Sequence, residues 1–209
     1  MHSNQDSTIF IDGLGSAIRT AFKTFDEYAD IIKKQAESLK IFKDQKERES
    51  FDFKDWGQWQ DSANHYFAQM IHRHKGIDAI ALDVSRKFEE MKIQMDLTEQ
   101  CLGIMAGTIL QIGKQAIAYR WEYYKKITIS QRQVGRTNIG EIIWEGRNHA
   151  LHWDEGNPHH GVNELFIKIK SDFPTRGFDP NINCSNKIMG ILGWESADAV
   201  IADLKALNK

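Results

Sequence analysis

The chain has 209 residues, of which 41% are apolar and 27% charged, and its formal net charge is −2. That length suits one substantial hydrophobic core, and the composition excludes a disordered chain. A balance so near neutral also excludes a chain-wide electrostatic footprint for nucleic acid, so any such contact must be local.

No proline precedes Pro158, and only Pro174 and Pro180 follow it, which favours long uninterrupted helices. Residues 1–8 read as a flexible start. Over residues 9–46 the apolar positions Ile11, Leu14, Ile18, Phe22, Phe25, Ala29 and Ile32 recur at three- and four-residue steps, one face of a helix. The charge run at 43–49 reads as its solvated end. A second helix is expected from about Asp55, carrying Trp56, Trp59, Ala63, Phe67, Met70 and Ile71, and ending near Gly76. His72-Arg73-His74-Lys75, close to that end, is a small basic cluster suited to a helix C-terminus or to phosphate. A third covers 77–95, with Val84, Phe88, Met91 and Met95 on one stripe. A fourth covers 97–124, and the pattern leaves open whether these two are one bent helix. Gly103, Gly107 and Gly113 in the fourth are expected to permit close helix packing.

Residues 127–138 lose the helical period and read as a loop with a short extended piece. Asn138 or Thr137 is placed to cap a fifth helix over 139–155, which Gly156-Asn157-Pro158 should stop. A sixth covers 161–171, a turn-rich stretch covers 174–184, and short helices over 185–192 and 196–207 complete the chain. The expected fold is a single all-α domain spanning 1–209, a helical bundle with long N-terminal and short C-terminal helices.

Cys101 and Cys184 have neither metal spacing nor a disulfide framework, so a reducing compartment is expected. The first residues lack the basic and apolar regions of a signal peptide. The most apolar stretch, 101–118, is interrupted by Gln111, Lys114 and Gln115, so it reads as a buried amphipathic helix and not a membrane span. A soluble cytoplasmic protein is the expectation.

The fifth helix carries the most chemistry. At about 100° per residue, Ile139, Ile143, Gly146, Ala150 and Trp153 form an apolar stripe. Trp144, Asn148, Leu151, His152 and Glu155 lie on the other side. Asn148 and His152 are four apart and share a face, and the long Arg147 side chain can swing toward the same end. Such a set is either a solvated strip or a site, and the aromatics beside it favour an interface.

Arg147-Asn148-His149-Ala150-Leu151-His152 resembles the signature of the HEPN superfamily: an Arg, a polar residue after it, and a His after four to six intervening positions, on a helix of an all-α domain. Asp154 stands where many members carry an aromatic residue. The resemblance implies a HEPN-like fold and a metal-independent endoribonuclease that needs no cofactor. It also implies a homodimer through the motif helix and a toxin–antitoxin or antiviral defence setting, with a neutralising protein partner. RNA would be cut by its own 2′-hydroxyl. His152 would serve as acid or base, Arg147 would hold the phosphate, and Asn148 would fix the ring or donate to phosphate. His149 and Trp144 are further candidate substrate contacts. Lys125, Lys126, Arg132 and Arg136 join Arg120, Trp121, Tyr123 and Tyr124 in a run of cations and aromatics, the pattern that suits single-stranded nucleic acid. The same run equally fits an aromatic core helix with its cationic end in water.

Two other classes of function compete. A metal-dependent helical hydrolase would use the dense set His149, His152, Asp154, Glu155, His159 and His160, although no His-Glu-x-x-His pattern is present. A non-catalytic HEPN-like bundle would bind nucleotide or a protein partner.

Overall fold

A proline-free chain with apolar residues at helical spacing forms long helices, and in the computed structural model two dominate: α1 (Asn4–Asp55) and α2 (His65–Trp121). The structure describes residues 4–55 and 65–208, with side chains for 5–41, 43–44, 82–83 and 85–208. Trp56, Trp59 and Ala63 lie outside the described residues, and the side chains of Phe67, Met70, Ile71 and the 72–75 basic cluster lie outside the described side chains. After α2 come a 3₁₀ turn (Tyr124–Lys126), strands β1 (Gln133–Val134) and β2 (Thr137–Asn138), and helix α3 (Ile139–His152) with a 3₁₀ extension (Trp153–Glu155). Helix α4 (His160–Asp172), a 3₁₀ turn (Pro174–Arg176), α5 (Ser185–Leu192) and α6 (Ala197–Leu207) follow. The fold is an all-α helical bundle, as the periodicity predicts.

The second, third and fourth expected helices are one. Gly76 does not end α2, because a single interior glycine costs only about 1 kcal/mol relative to alanine and no proline accompanies it. The start is also helical earlier than expected: α1 begins at Asn4, and Ser7 is already buried. Helix α2 stops at Trp121, where Glu122 takes a left-handed conformation (φ 63°) and Tyr123 and Tyr124 turn back against Trp144. Within α2, Ser85–Trp121 is long and apolar enough to cross a membrane by length and composition, and half of its apolar window is buried in the fold.

Contacts divide the chain into two units, Met1–Tyr28 with Gln100–Lys209, and Ala29–Glu99. In the second, Ile32, Gln35 and Leu39 are half-buried, as are Phe88, Met91 and Met95, each set at three- and four-residue steps. Leu82 and Ile93 are exposed there. The first unit holds the main core, built from Ile11, Ile18 and Phe22 of α1, Ile109, Leu110 and Ile117 of α2, Ile142 and Ile143 of α3, Leu165 and Ile169 of α4, Ile188 of α5 and Leu204 of α6. Phe10 of α1 stacks on Tyr119 of α2, with ring centroids 4.1 Å apart.

Helix α3 is positioned by its start. Strands β1 and β2 pair antiparallel, Gln133 with Asn138 and Val134 with Thr137. Gly135 opens their two-residue loop at φ 60°, a conformation that glycine adopts without strain. Asn138 then caps α3, its Oδ1 accepting from the Glu141 N–H at 2.8 Å, and the Gly140 N–H donates to Gln131 Oε1 at 3.1 Å. Gly156, left-handed at φ 68°, ends the 3₁₀ extension, as the Gly-Asn-Pro stop predicts. Because the cap satisfies an otherwise orphaned donor, Asn138→Ala should cost about 0.5–2 kcal/mol in denaturant unfolding, and Asn138→Asp should keep most of that stability. Equal midpoints for all three proteins would remove the cap from this account.

Candidate functional site

The buried residues of α3 are Ile139, Gly140, Ile142, Ile143, Glu145, Gly146 and His149. Glycines set how close its neighbours come. A β-carbon at Gly107 of α2 would lie 3.0 Å from that of Ala150, and one at Gly113 would lie 3.0 Å from Ile143 Cγ2. Both are tight, so the two backbones meet at these points because α2 has no side chain there.

That approach lets two polar side chains of α2 reach across to α3. Gln111 Oε1 accepts a hydrogen bond from Arg147 Nε. Lys114 Nζ donates to Asn148 Oδ1 at 2.8 Å, and Arg147 Nη1 lies 3.5 Å from the same oxygen. Asn148 Nδ2 donates to Glu145 Oε2 at 3.0 Å. Lys114 Nζ also sits 4.5 Å from the centre of the Trp144 ring, and Tyr123 meets that ring edge-on at 5.1 Å. Burial, with the Arg147 charge adding to it, pulls the Lys114 ammonium below the usual lysine value, while Glu145 opposes the shift. Burial also lowers Arg147. Glu145 is itself buried, and its carboxylate lies against Gly161 in the first turn of α4, where a helix end is partially positive.

The other candidate cations have work in the fold. Arg132 pairs with Asp203 through Nε at 3.1 Å and donates to the Leu192 carbonyl at 2.7 Å, tying the loop to α5 and α6. Arg136 pairs with Asp172 at 2.7 Å, tying the hairpin to α4. Lys126 pairs with Glu122. Lys125 Nζ lies over the rings of Tyr123 and Tyr124, 6.0 and 5.7 Å from their centres. The Trp121 indole N–H donates to Leu207 O at 2.8 Å, so the aromatic part of this run belongs to the core.

His149 is 1% exposed, which corrects its candidacy as a substrate contact. It sits seven residues after Ile142, two helical turns along the face that packs inward. Its ring packs on Phe166 at 4.6 Å, and Nε2 lies 3.0 Å from the Ile182 carbonyl and 3.2 Å from the Cys184 N–H. His152 lies on the open side. Its Nδ1 is 2.6 Å from Glu155 Oε1, and its ring meets that of His159 edge-on at 5.6 Å. Arg147 is thus directed to α2, and His152 to the 3₁₀ turn and the loop that follows. Among the described residues no hydrogen bond joins them.

No family model matches this chain, and neither the curated proteins nor the solved structures contain a match. Its own geometry must carry the functional reading. For the metal-dependent alternative, no three His, Cys, Asp or Glu side chains gather to hold an ion among the described residues. Spacing along α3 missed Lys114 and Gln111, which stand 34 and 36 positions before Asn148 and Arg147. The available signal was a pair of polar residues interrupting an apolar, glycine-bearing helix.

The surroundings of His149 predict a pH dependence. In the doubly protonated ring Nδ1 is a donor buried without a partner, and Nε2 has no lone pair left to accept from the Cys184 N–H. Burial lowers His149 below the ordinary histidine value and outweighs the opposite pull of the Ile182 carbonyl and of Asp179. The unfolded chain therefore binds this proton first as pH falls below about 6.5. Stability is full above that value and drops toward the lower folded-state value, by at most about 1.4 kcal/mol per pH unit from this residue. Thermal unfolding between pH 8 and pH 5 should show a steeper loss for the wild type than for His149→Gln, even though the variant melts lower at pH 8. Parallel curves would remove His149 as the cause.

Proposed function

We propose that this chain is a metal-independent endoribonuclease of the HEPN type, acting in the cytoplasm as a homodimer paired through α3. The observation that carries the reading is the setting of Arg147. It is half-buried on the motif helix and held by an amide, Gln111, and not by a carboxylate. A guanidinium oriented in this way keeps donors for a phosphate, and its full charge meets the negative charge that grows in the transition state.

The roles follow from the chemistry of RNA, which supplies its own nucleophile in the 2′-hydroxyl. One group must take that proton and one must protonate the departing 5′-oxygen. Imidazole does either near neutral pH. Glu155 holds His152 by Nδ1, which orients the ring and leaves Nε2 for proton transfer. Asn148, between Lys114 and Glu145, is fixed in place as a phosphate donor or positioning group. Because Arg147 and His152 have different partners within one chain, the reaction takes Arg147 from one copy and His152 from the other. Leu151 of α3 is 54% exposed and Ile104 of α2 is 62% exposed, apolar surface suited to a second copy. A toxin–antitoxin or antiviral role, with a neutralising protein partner, accompanies this reading. The separation of Arg147 from His152 also favours a second reading, a non-catalytic bundle that binds nucleotide or protein.

Labelled RNA incubated with the protein in excess chelator should be cleaved. Arg147→Ala and His152→Ala should each lower the rate by at least about 100-fold, within the usual range for general acid–base groups, with unchanged helical circular dichroism. A 2′-deoxy substitution at the cleaved nucleotide should block the reaction. Mixing the two inactive variants should restore part of the activity, because a mixed dimer holds one complete site. Cleavage that survives both substitutions would refute the assignment, and absence of cleavage by the wild type would favour the binding bundle.

A further inference from the structure

Lys114 differs from six other cations of the first unit. Arg19, Lys126, Arg132, Arg136, Lys168 and Lys205 each pair with a carboxylate. Lys114 and Arg147 stand in no ion pair within 4.0 Å among the described residues, although both are half-buried. Two cations drawn partly out of water, beside each other, destabilise one another unless an anion joins them. The carboxylate nearest to them in the hydrogen-bond network is Glu145, which reaches them through Asn148 and leaves the set with one net positive charge.

The geometry also shows where an anion would sit. Asn148 Oδ1 lies 2.8 Å from Lys114 Nζ and 3.5 Å from Arg147 Nη1. One oxygen thus already stands between the two cations, as a phosphoryl oxygen would. Lys114 approaches from α2 over the Trp144 ring, so its ammonium is held in place by the aromatic face as well as by the amide. Gln111 occupies Arg147 Nε, and the outer guanidinium nitrogens remain for a second phosphoryl oxygen.

We propose that Lys114 is a phosphate-binding residue, which with Arg147 forms a two-cation subsite for a phosphodiester of single-stranded RNA, taking the place at which Asn148 Oδ1 now stands. This inference rests on the reading that RNA is bound at Arg147, but it does not require that the RNA be cut. Asn148 would turn its oxygen away and keep its contact with Glu145, or donate to the phosphate through Nδ2.

The test uses the full-length protein and a fluorescein-labelled 2′-O-methyl oligouridine, which lacks the nucleophile and stays intact. Anisotropy titrations at several salt concentrations give the affinity and its salt slope. Lys23→Gln, a change at an exposed residue of α1, should bind as the wild type does. Lys114→Gln should bind about tenfold more weakly, with a salt slope shallower by about 0.7, the change for one lost phosphate contact on a single strand. Lys114→Arg should recover most of the affinity, and a melting curve for each variant shows that it is folded. Unchanged affinity and slope in folded Lys114→Gln would overturn the proposal, and so would a wild type that does not bind the oligonucleotide. The outcomes separate the two readings. If no variant or wild type cuts RNA but Lys114→Gln still loses oligonucleotide binding, the nuclease reading fails and the subsite stands. If RNA is cut equally well by the wild type and Lys114→Gln, with equal KM, the nuclease stands and the subsite fails.

Discussion

The close contact between α2 and α3 is the constraint on which the site depends. Two α-helices with large side chains at their crossing pack with axes about 8–10 Å apart, and glycine at the contact brings them nearer. At Gly107 and Gly113 the facing atoms belong to Ala150 and Ile143, so a larger residue on either helix would push the two apart. The polar groups are set by the same contact. Gln111 and Lys114 follow Gly107 by four and seven positions, one and two turns along the same stripe of α2. They therefore project past the crossing toward Arg147 and Asn148. A site assembled across two helices in this way has its geometry determined by core packing, which is stiffer than a loop.

The distribution of charge around α3 follows from the cost of burial. An ionised group withdrawn from water must find an opposite charge or hydrogen bonds. Arg132 and Arg136, near the surface, satisfy this rule with Asp203 and Asp172 and so fasten the loop and hairpin that introduce α3. Asp203 also accepts from the Trp194 indole at 2.8 Å, so one carboxylate ties together the loop, the α5–α6 connection and α6. Glu145 is the exception in sign. It is a carboxylate on the buried face of α3, set against the first turn of α4 and bonded to Asn148. Its position makes Asn148 a polarised bridge between a buried anion and two half-buried cations.

Much of this was legible in the sequence where the signal is local. Asn138 before an apolar-periodic run, and Gly156 before Asn157 and Pro158, define α3 by capping chemistry that operates within four residues. Helix α6 was legible for the same reason, through Ser196, whose hydroxyl accepts from the Ala199 N–H. The misreadings have physical causes. Gly76 reads as a terminator because glycine is a poor helix former, but propensity is a weak term beside the continuity of a 57-residue helix. His149 reads as a polar candidate by residue type, but its phase places it on the same buried stripe as Ile142 and Gly146. The loop cations were legible as charges, but the partners that occupy them come from α4 and α6. Lys114 was invisible as a site residue for a related reason. Its meaning lies in a contact between helices that spacing along either one does not encode.

The separation of Arg147 from His152 within one chain bears on how the proposed chemistry is built. A reaction that needs a guanidinium and an imidazole on one phosphate is not assembled by α3 alone, since residues five apart on a helix project about 140° from each other. Two-fold pairing of identical helices resolves that difficulty without new residues, because an isologous contact that set Arg147 of one copy against His152 of the other would set the reverse pair together as well. On this reading the anchoring of Arg147 by Gln111, and of His152 by Glu155, has a purpose that a single chain does not explain. Under the proposed pairing each side chain would serve a neighbour, and the catalytic set would be completed only when the two motif helices meet.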